Sequence, residues 1–550
     1  MKKIYITLLS CFSFSFILKA QDDHNLSIGF ESNSQYYVDD SKTGPFMEPE
    51  RFRSNNYLAV LYEYKDFYAG IQAESYSPMA LLNYYSGFEK TNLGLYYAGY
   101  KNKKFEVTLG HFYEQFGNGL SLRSWEDRQL GINNALRGAR IKYYPTDFIE
   151  LKAIYGKQRA GFEHSKGDIF GFDSNIGLSD LLNLENSYLS FGLSYVGRND
   201  KTAVTSFDLP EMTNIFGGRI DFSSGNFYSG VEFLTKNDDA IYVMNQPRGA
   251  EKGNAFFLNF GYTKKGLGVD VTLRRLENMG FYSDREATGN VFNQYIINYL
   301  PGLTKQHDYL LTNIYVYQAQ AQGAFSPIPK FGEIGGQIDF FYKFKKGSAL
   351  GGKYGTKVAV NASYWAGLKG EADLSNSSRF TYNASTFGFG EKYFSDFSLE
   401  IRKKWSKQWS NIFYFVNQYY NKRYIEETAG DVNANILVGE TTYKMGGGKS
   451  LRFEAQHLWT EDDRKNWVGG TIEYNLSSRL GFYLNDIYNY GSDDPDEKIH
   501  YYNFGGNYTY KSYRFSLNYG RQRGGLICVG GVCRNVPEST GLTANISMSF

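Results

Sequence analysis

The last nine residues, Leu542 to Phe550, alternate strictly between apolar and polar. Phe550, Met548, Ile546, Ala544 and Leu542 fall on one face, and Ser549, Ser547, Asn545 and Thr543 on the other. A period of two marks a strand with one apolar and one polar side. The pattern recurs upstream. Phe105, Val107 and Leu109 alternate with Glu106, Thr108 and Gly110. Phe256, Leu258, Phe260 and Tyr262 are followed, after Lys264-Lys265-Gly266, by Leu267, Val269, Val271 and Leu273. Tyr513, Phe515, Leu517 and Tyr519 follow Lys511-Ser512 in the same way. These are hairpins with short turns. Roughly 22 to 24 such runs (a range of about 18 to 26) fit the chain, at the density of a large barrel. The expectation is an all-β fold: a transmembrane antiparallel up-and-down β-barrel of the bacterial outer membrane, with an even strand number and with inward or capping loop segments.

The turn lengths predict the topology. Counting back from the end, the connections at Lys511-Ser512, Ser477–Arg479, Gly446–Ser450 and Lys404–Ser410 are short and share one side. Those around Thr460–Asn466, Gly491–Ile499 and Gln522–Ser539 are longer and fall on the other, which is the outside of an outer-membrane barrel. The up-down alternation breaks across two long segments, Gly161–Asn186 and Asn278–Phe331, each of which either hides a strand or folds into or over the lumen.

Composition modifies this picture at a few points. The 550 residues are 42% hydrophobic and 18% aromatic, with 48 Tyr and 43 Phe. The mean hydropathy of −0.46 argues only against helical spans, because a barrel alternates lipid-facing and lumenal residues. Met1–Ala20 reads as a signal peptide for Sec export, with Lys2 and Lys3 ahead of an apolar run, so that 21–550 forms a single barrel domain. Lipidation at Cys11 is the disfavoured alternative. Removing Lys2, Lys3 and Lys19 from the formal +2 leaves −1, which gives no nucleic-acid footprint. Strand pattern begins near Asn25 without a preceding plug domain, which disfavours a TonB-dependent receptor.

The densest polar stretch is Gly110–Lys142. It carries His111 together with Glu114, Arg123, Glu126, Asp127, Arg128, Arg137 and Arg140, which are the candidates for the lumen or a constriction. Ser124–Ala135 loses the period of two and fits a short helix or an inward loop. Two readings stand: a lumenal ion-pair network that rigidifies the barrel, or paired charges that select solutes. Cys528 and Cys533 bracket Val-Gly-Gly-Val in the last long loop, where a disulfide is expected and a metal site is the alternative. Asp493-Asp494-Pro495-Asp496-Glu497 is an acidic loop, either solvated or bridged through divalent ions to lipopolysaccharide. The six His are scattered, and His307-Asp308 is the best candidate for a site at the rim. No catalytic residue, cofactor or metal is expected.

Three stretches carry a resemblance to a known family. They are Phe112–Tyr144 with Gly-Leu-Ser-Leu-Arg-Ser-Trp-Glu-Asp-Arg and Gly-Ile-Asn-Asn-Ala-Leu-Arg-Gly, then Asn298-Tyr-Leu-Pro-Gly-Leu-Thr, then Arg521–Gly541 with the closing strand. Together they resemble the DUF6029 family of secreted barrels of the Bacteroidota, which implies an outer-membrane barrel and carries no activity to transfer. A terminal strand ending in Phe also resembles the signal read by barrel-insertion machinery, with Phe550 as its last residue. The expected partners are therefore outer-membrane lipid and lipopolysaccharide, that machinery, and other outer-membrane proteins. The expected function is a passive or selective pore for small polar solutes. The alternatives are an accessory subunit of an outer-membrane complex and, third, a surface enzyme.

Overall fold

The computed structural model describes residues 24–47, 50–81, 86–88, 91–201, 210–243, 246–288, 290, 293–321, 330–373, 381–529 and 531–550. The signal peptide expected over Met1–Ala20 lies outside them. Among the described residues one antiparallel sheet closes on itself as a 24-strand barrel. The two-residue strand Glu163–His164 is a side pairing on one stave. The first strand, His24–Val38, pairs with the last, Ser539–Ser549, from Gly29↔Ser549 to Val38↔Thr540. Phe550 completes the seam, since its N–H donates to Ile28 O at 2.9 Å and its carbonyl accepts from Ile28 N at 3.2 Å. Closure leaves no unpaired edge, a requirement in hydrocarbon.

The period of two places apolar side chains outside. Ile71, Leu109, Phe172, Leu193, Phe216, Leu273, Phe413, Leu437 and Leu517 all stand exposed on the outer wall. In water so large an apolar band would drive aggregation, whereas in a bilayer it is buried. Aromatic residues crowd the rim that carries the short turns. Phe105 stacks on Tyr143 at 4.7 Å, Phe227 packs at a tilt on Tyr262 at 4.7 Å, and Tyr513 meets Phe550 edge to face at 5.6 Å. That is the girdle of a membrane interface. At the opposite rim, the hairpins Phe227–Val243/Gln246–Lys264 and Thr356–Asp373/Thr381–Lys404 are longer than the ~9–11 residues a span needs and rise above the other staves.

The two long segments resolve differently. Gly161–Asn186 hides a strand, Asp168–Gly177, paired to Ile149–Ala160 on one side and Ser187–Asn199 on the other. Among its described residues Asn278–Phe331 holds no strand of the barrel, and the alternation does not break there. The flanking strands Leu267–Glu277 and Gly332–Phe344 pair directly, from Leu267↔Tyr342 to Glu277↔Gly332. The segment between them is a connection at the long-loop rim that turns down into the bore.

Candidate functional site

The bore is lined by two apolar patches, which a water-filled lumen would not accommodate. On one wall Val416↔Ile436, Ile436↔Leu458 and Leu458↔Trp467 are successive cross-strand partners facing inward, with Trp365↔Phe394 beside them. On the other, Val196↔Ile215, Leu234↔Ala255 and Ala255↔Leu276 do the same. Residues from the inward connections cover both. Tyr309, Leu311, Tyr315 and Tyr317 pack on the first patch. Met279, Phe281 and Ile297, with Phe116, Leu120 and Leu122 from the 113–135 connection, pack on the second. Burial of apolar surface thus drives these two connections into the lumen as a plug.

The connections are also joined to each other. Arg123 N donates to Ile297 O at 2.9 Å and Tyr299 N to Gly119 O at 2.9 Å. Asn298 Nδ2 donates to Leu120 O at 3.2 Å and Asn134 Nδ2 to Ile296 O at 3.2 Å. The hairpin Gly525–Val529/Val532–Val536, tied by the disulfide Cys528–Cys533, closes the third side, with Gly302 N donating to Gly531 O at 2.8 Å. Gly531 sits at φ +81°, and a Cβ there would lie 2.5 Å from Gly302 O, so only glycine allows this approach.

Buried charges lock the plug to the wall. Glu333, fully buried at the top of its strand, accepts from Arg274 Nη2 at 2.6 Å, from the Tyr317 hydroxyl at 2.5 Å and from Gln320 N at 2.7 Å. Opposite, Asp239 accepts from Arg198 Nη2 at 2.6 Å and from Arg285 Nε of the plug at 2.9 Å. Arg198 Nη1 also donates to Tyr282 O at 2.7 Å and Lys236 Nζ to Gly280 O at 2.8 Å, so wall cations cap plug carbonyls. Burial pulls the Arg285 guanidinium below its ordinary value, opposed by Asp239.

The residues singled out from sequence fall into three places. Glu114, Arg140 and the lysines of neighbouring staves form one lumenal cluster. Glu114 lies 3.2 Å from Lys142 and 3.3 Å from Lys152, and Arg140 bonds Glu106 as well as Thr108 Oγ1 at 3.0 Å. Arg123, Glu126, Asp127 and Arg128 belong to the plug. Arg123 lies over the Tyr299 ring at 3.9 Å. Glu126 accepts from Arg128 Nε at 3.2 Å, and Arg128 reaches Glu31 at 2.5 Å and the Tyr57 ring at 4.2 Å on the wall. Asp127 caps a local turn at Leu130 N. Ser124–Ala135 is an inward loop and not a helix, built on the ladder Glu126–Asp127/Ile132–Asn133.

Arg137 requires a correction. It shares its strand face with Ala139 and the exposed Ile141, opposite to Arg140, so it points outward near the rim and not into the lumen. His307 also moves from its expected place. It lies inside the bore, hydrogen-bonded to the Tyr414 hydroxyl, and burial depresses its imidazole to about 4. In the acidic loop, Asp493 pairs with Lys465 at 2.6 Å and Glu497 with Arg464 at 3.4 Å.

Sequence reasoning missed the Glu333 and Asp239 anchors, yet a signal was present. In Ala434-Asn435-Ile436-Leu437-Val438 the lumenal positions are as apolar as the lipid-facing Leu437. Apolar residues on both faces of a barrel strand mean that something covers the inner one.

Fold and site together define a closed 24-strand β-barrel of the outer-membrane type whose bore holds a plug made from its own long connections. The chain belongs to the family described as "Family of unknown function (DUF6029)", which it matches over residues 1–550. No curated protein matches it. Among solved structures it is similar to the P pilus usher (PapC) translocation pore, at 9% identity and a TM-score of 0.43 over 96% of this chain and 99% of that one. It is similar also to the siderophore receptor PirA from Pseudomonas aeruginosa, at 9% identity and 0.42 over 97% and 81%. A third is the outer membrane protein opdK from Pseudomonas aeruginosa, at 9% identity and 0.37 over 96% and 98%.

Proposed function

We propose that the protein is a gated, solute-selective conduit of the outer membrane, inserted with its short turns in the periplasm and closed at rest by its own plug. The observation that carries this reading is the contrast along the bore. Towards the long-loop rim the lumen is apolar and covered. Below the plug it opens into a charged chamber of about 340 Å³ lined by Lys305, Asp339, Lys357, Glu400, Arg402 and Arg452. Such a lining suits water and polar solutes, and a plug held by a few buried ion pairs can be released by a partner or solute that competes for them. Liposome swelling tests it. Wild-type protein should admit sugars slowly or not at all, and Glu333→Ala should admit them readily.

Filling of the lumen equally favours one second reading, an accessory subunit that contacts other outer-membrane proteins through the tall hairpins. Impermeability of both proteins in the swelling assay, together with stoichiometric copurification of another membrane protein, would select it.

A further inference from the structure

A second cavity, of about 230 Å³, lies within the plug itself, where both inward connections meet the disulfide-bonded hairpin. Its lining is rich in carboxamides, among them Asn290, Asn293, Asn298, Gln318 and Gln320, set beside the aromatic rings of Trp125 and Tyr299. A carboxamide presents one acceptor and two donors at fixed geometry, which matches hydroxyl groups that both give and accept hydrogen bonds. Among the described residues of the lining the charged groups are Lys330 and Glu427, of opposite sign, which leave no net charge to select an ion.

The second observation is a pair of orphaned acceptors. Asn290 and Asn298 are 4% and 1% exposed, and their Nδ2 groups are fixed on backbone carbonyls, Asn290 on Asp284 O at 2.8 Å and Asn298 on Met279 O at 2.6 Å. Their Oδ1 atoms have no hydrogen-bond partner among the described residues. A buried acceptor left unpaired is costly, and here two of them belong to side chains of one cavity. The space exceeds what one or two waters need and falls short of the cavities that take drug-sized ligands.

We propose that this cavity binds a small neutral polyhydroxylated solute, of monosaccharide or short sugar-alcohol size, whose hydroxyl groups exchange hydrogen bonds with its carboxamide lining. The Lys330 ammonium, which donates to Gln320 Oε1 at 2.9 Å and is drawn down to about 8 by burial, fixes one wall of the site. The inference goes beyond the conduit reading, because binding in the plug does not depend on passage through the bore.

Isothermal titration calorimetry on the full-length protein tests it, in micelles of a detergent without a sugar headgroup. The probes are glucose, N-acetylglucosamine and mannitol, with gluconate and inorganic phosphate as charged comparators. Saturable binding of a neutral probe is expected, weakened at least tenfold by Gln318→Ala and abolished by Ala319→Phe, which fills the cavity. Heat-modifiable gel migration reports that the barrel is intact in each variant, and Gln318→Ala keeps the test alive should the larger residue disturb folding. The proposal is overturned if no neutral probe binds wild type, if both variants bind as wild type does, or if gluconate or phosphate is preferred.

Discussion

Replacement of Glu333 by alanine should undock one side of the plug while leaving the barrel standing. The carboxylate holds three donors at once: Arg274 of the adjacent stave, the Tyr317 hydroxyl and the Gln320 amide, at 2.5 to 2.7 Å. The first contact is a fully buried ion pair. Removing one partner of such a pair typically costs about 3–5 kcal/mol, because the remaining charge stays buried without compensation. Among the described residues Arg274 then has the Trp365 ring at 5.3 Å as a weak substitute. At 1.4 kcal/mol per tenfold, the undocked population of the segment around 309–321 should rise roughly a hundredfold to several thousandfold. Native-state hydrogen exchange reads this directly, since the amides of Leu311 and Gln320 are bonded to Gln456 Oε1 and Glu333. Exchange at these sites should accelerate, while amides of Tyr513–Gln522 and Ser539–Ser549 at the seam should not change. Glu333→Gln, which keeps an acceptor but drops the charge, should fall between. Equal acceleration in seam and plug would refute the reasoning, as would no acceleration in either.

Other perturbations address separate anchors. Arg285→Met removes the Asp239 contact at 2.9 Å and the Thr213 contact at 2.9 Å but leaves Asp239 with Arg198; a loss of about 1.5–3 kcal/mol should appear as faster exchange across 279–297. Acid should loosen the opposite side: His307 has a folded value of about 4 against an ordinary 6.5, so its contribution is complete above pH 6.5 and is lost as pH falls through 4. Limited proteolysis of 303–317 at stepped pH measures this, and His307→Phe should flatten that dependence. The Cys528–Cys533 ring is short, so Cys528→Ser paired with Cys533→Ser should cost about 2 kcal/mol locally, with faster exchange in Gly525–Val536 and an unchanged barrel melting temperature.

The barrel was legible in the chain wherever the two faces of a strand differ. Leu542–Phe550 and the hairpins at Lys264–Gly266 and Lys511-Ser512 have lipid on one side and polar lumen on the other, so the period of two is clean. It failed where the lumen is dry. In Asp168–Gly177 the inward Ile169 is as apolar as the outward Phe170 and Phe172, and Gly171 is packed against Ile154 and Phe116, so the strand shows no alternation and reads as part of a loop. The same cause hid the plug. Segment Asn278–Phe331 has no regular period because its backbone is paired irregularly with Gly119, Arg123 and Gly531, and contacts so distant in sequence leave no local trace. Proximity in sequence groups Arg137 with Arg140, although three residues apart on a strand means opposite faces. The polar cluster at Gly110–Lys142 is visible as composition, but its division between wall (Arg140, Lys142) and inward connection (Glu114, Arg123, Glu126, Arg128) is set by the turn beginning at Tyr113, which only the folded chain reveals.

The most direct test of the central claim, that this barrel is closed by its own connections, is a cryo-electron microscopy map of the full-length protein in a lipid nanodisc without added solute. The predicted result is continuous density across the bore, running from Arg285 on the Arg198–Asp239 wall, through Ile297, to Tyr317 on the Trp365 wall. A clear bore, with 113–135 and 278–331 displaced outside the lumen, would contradict it.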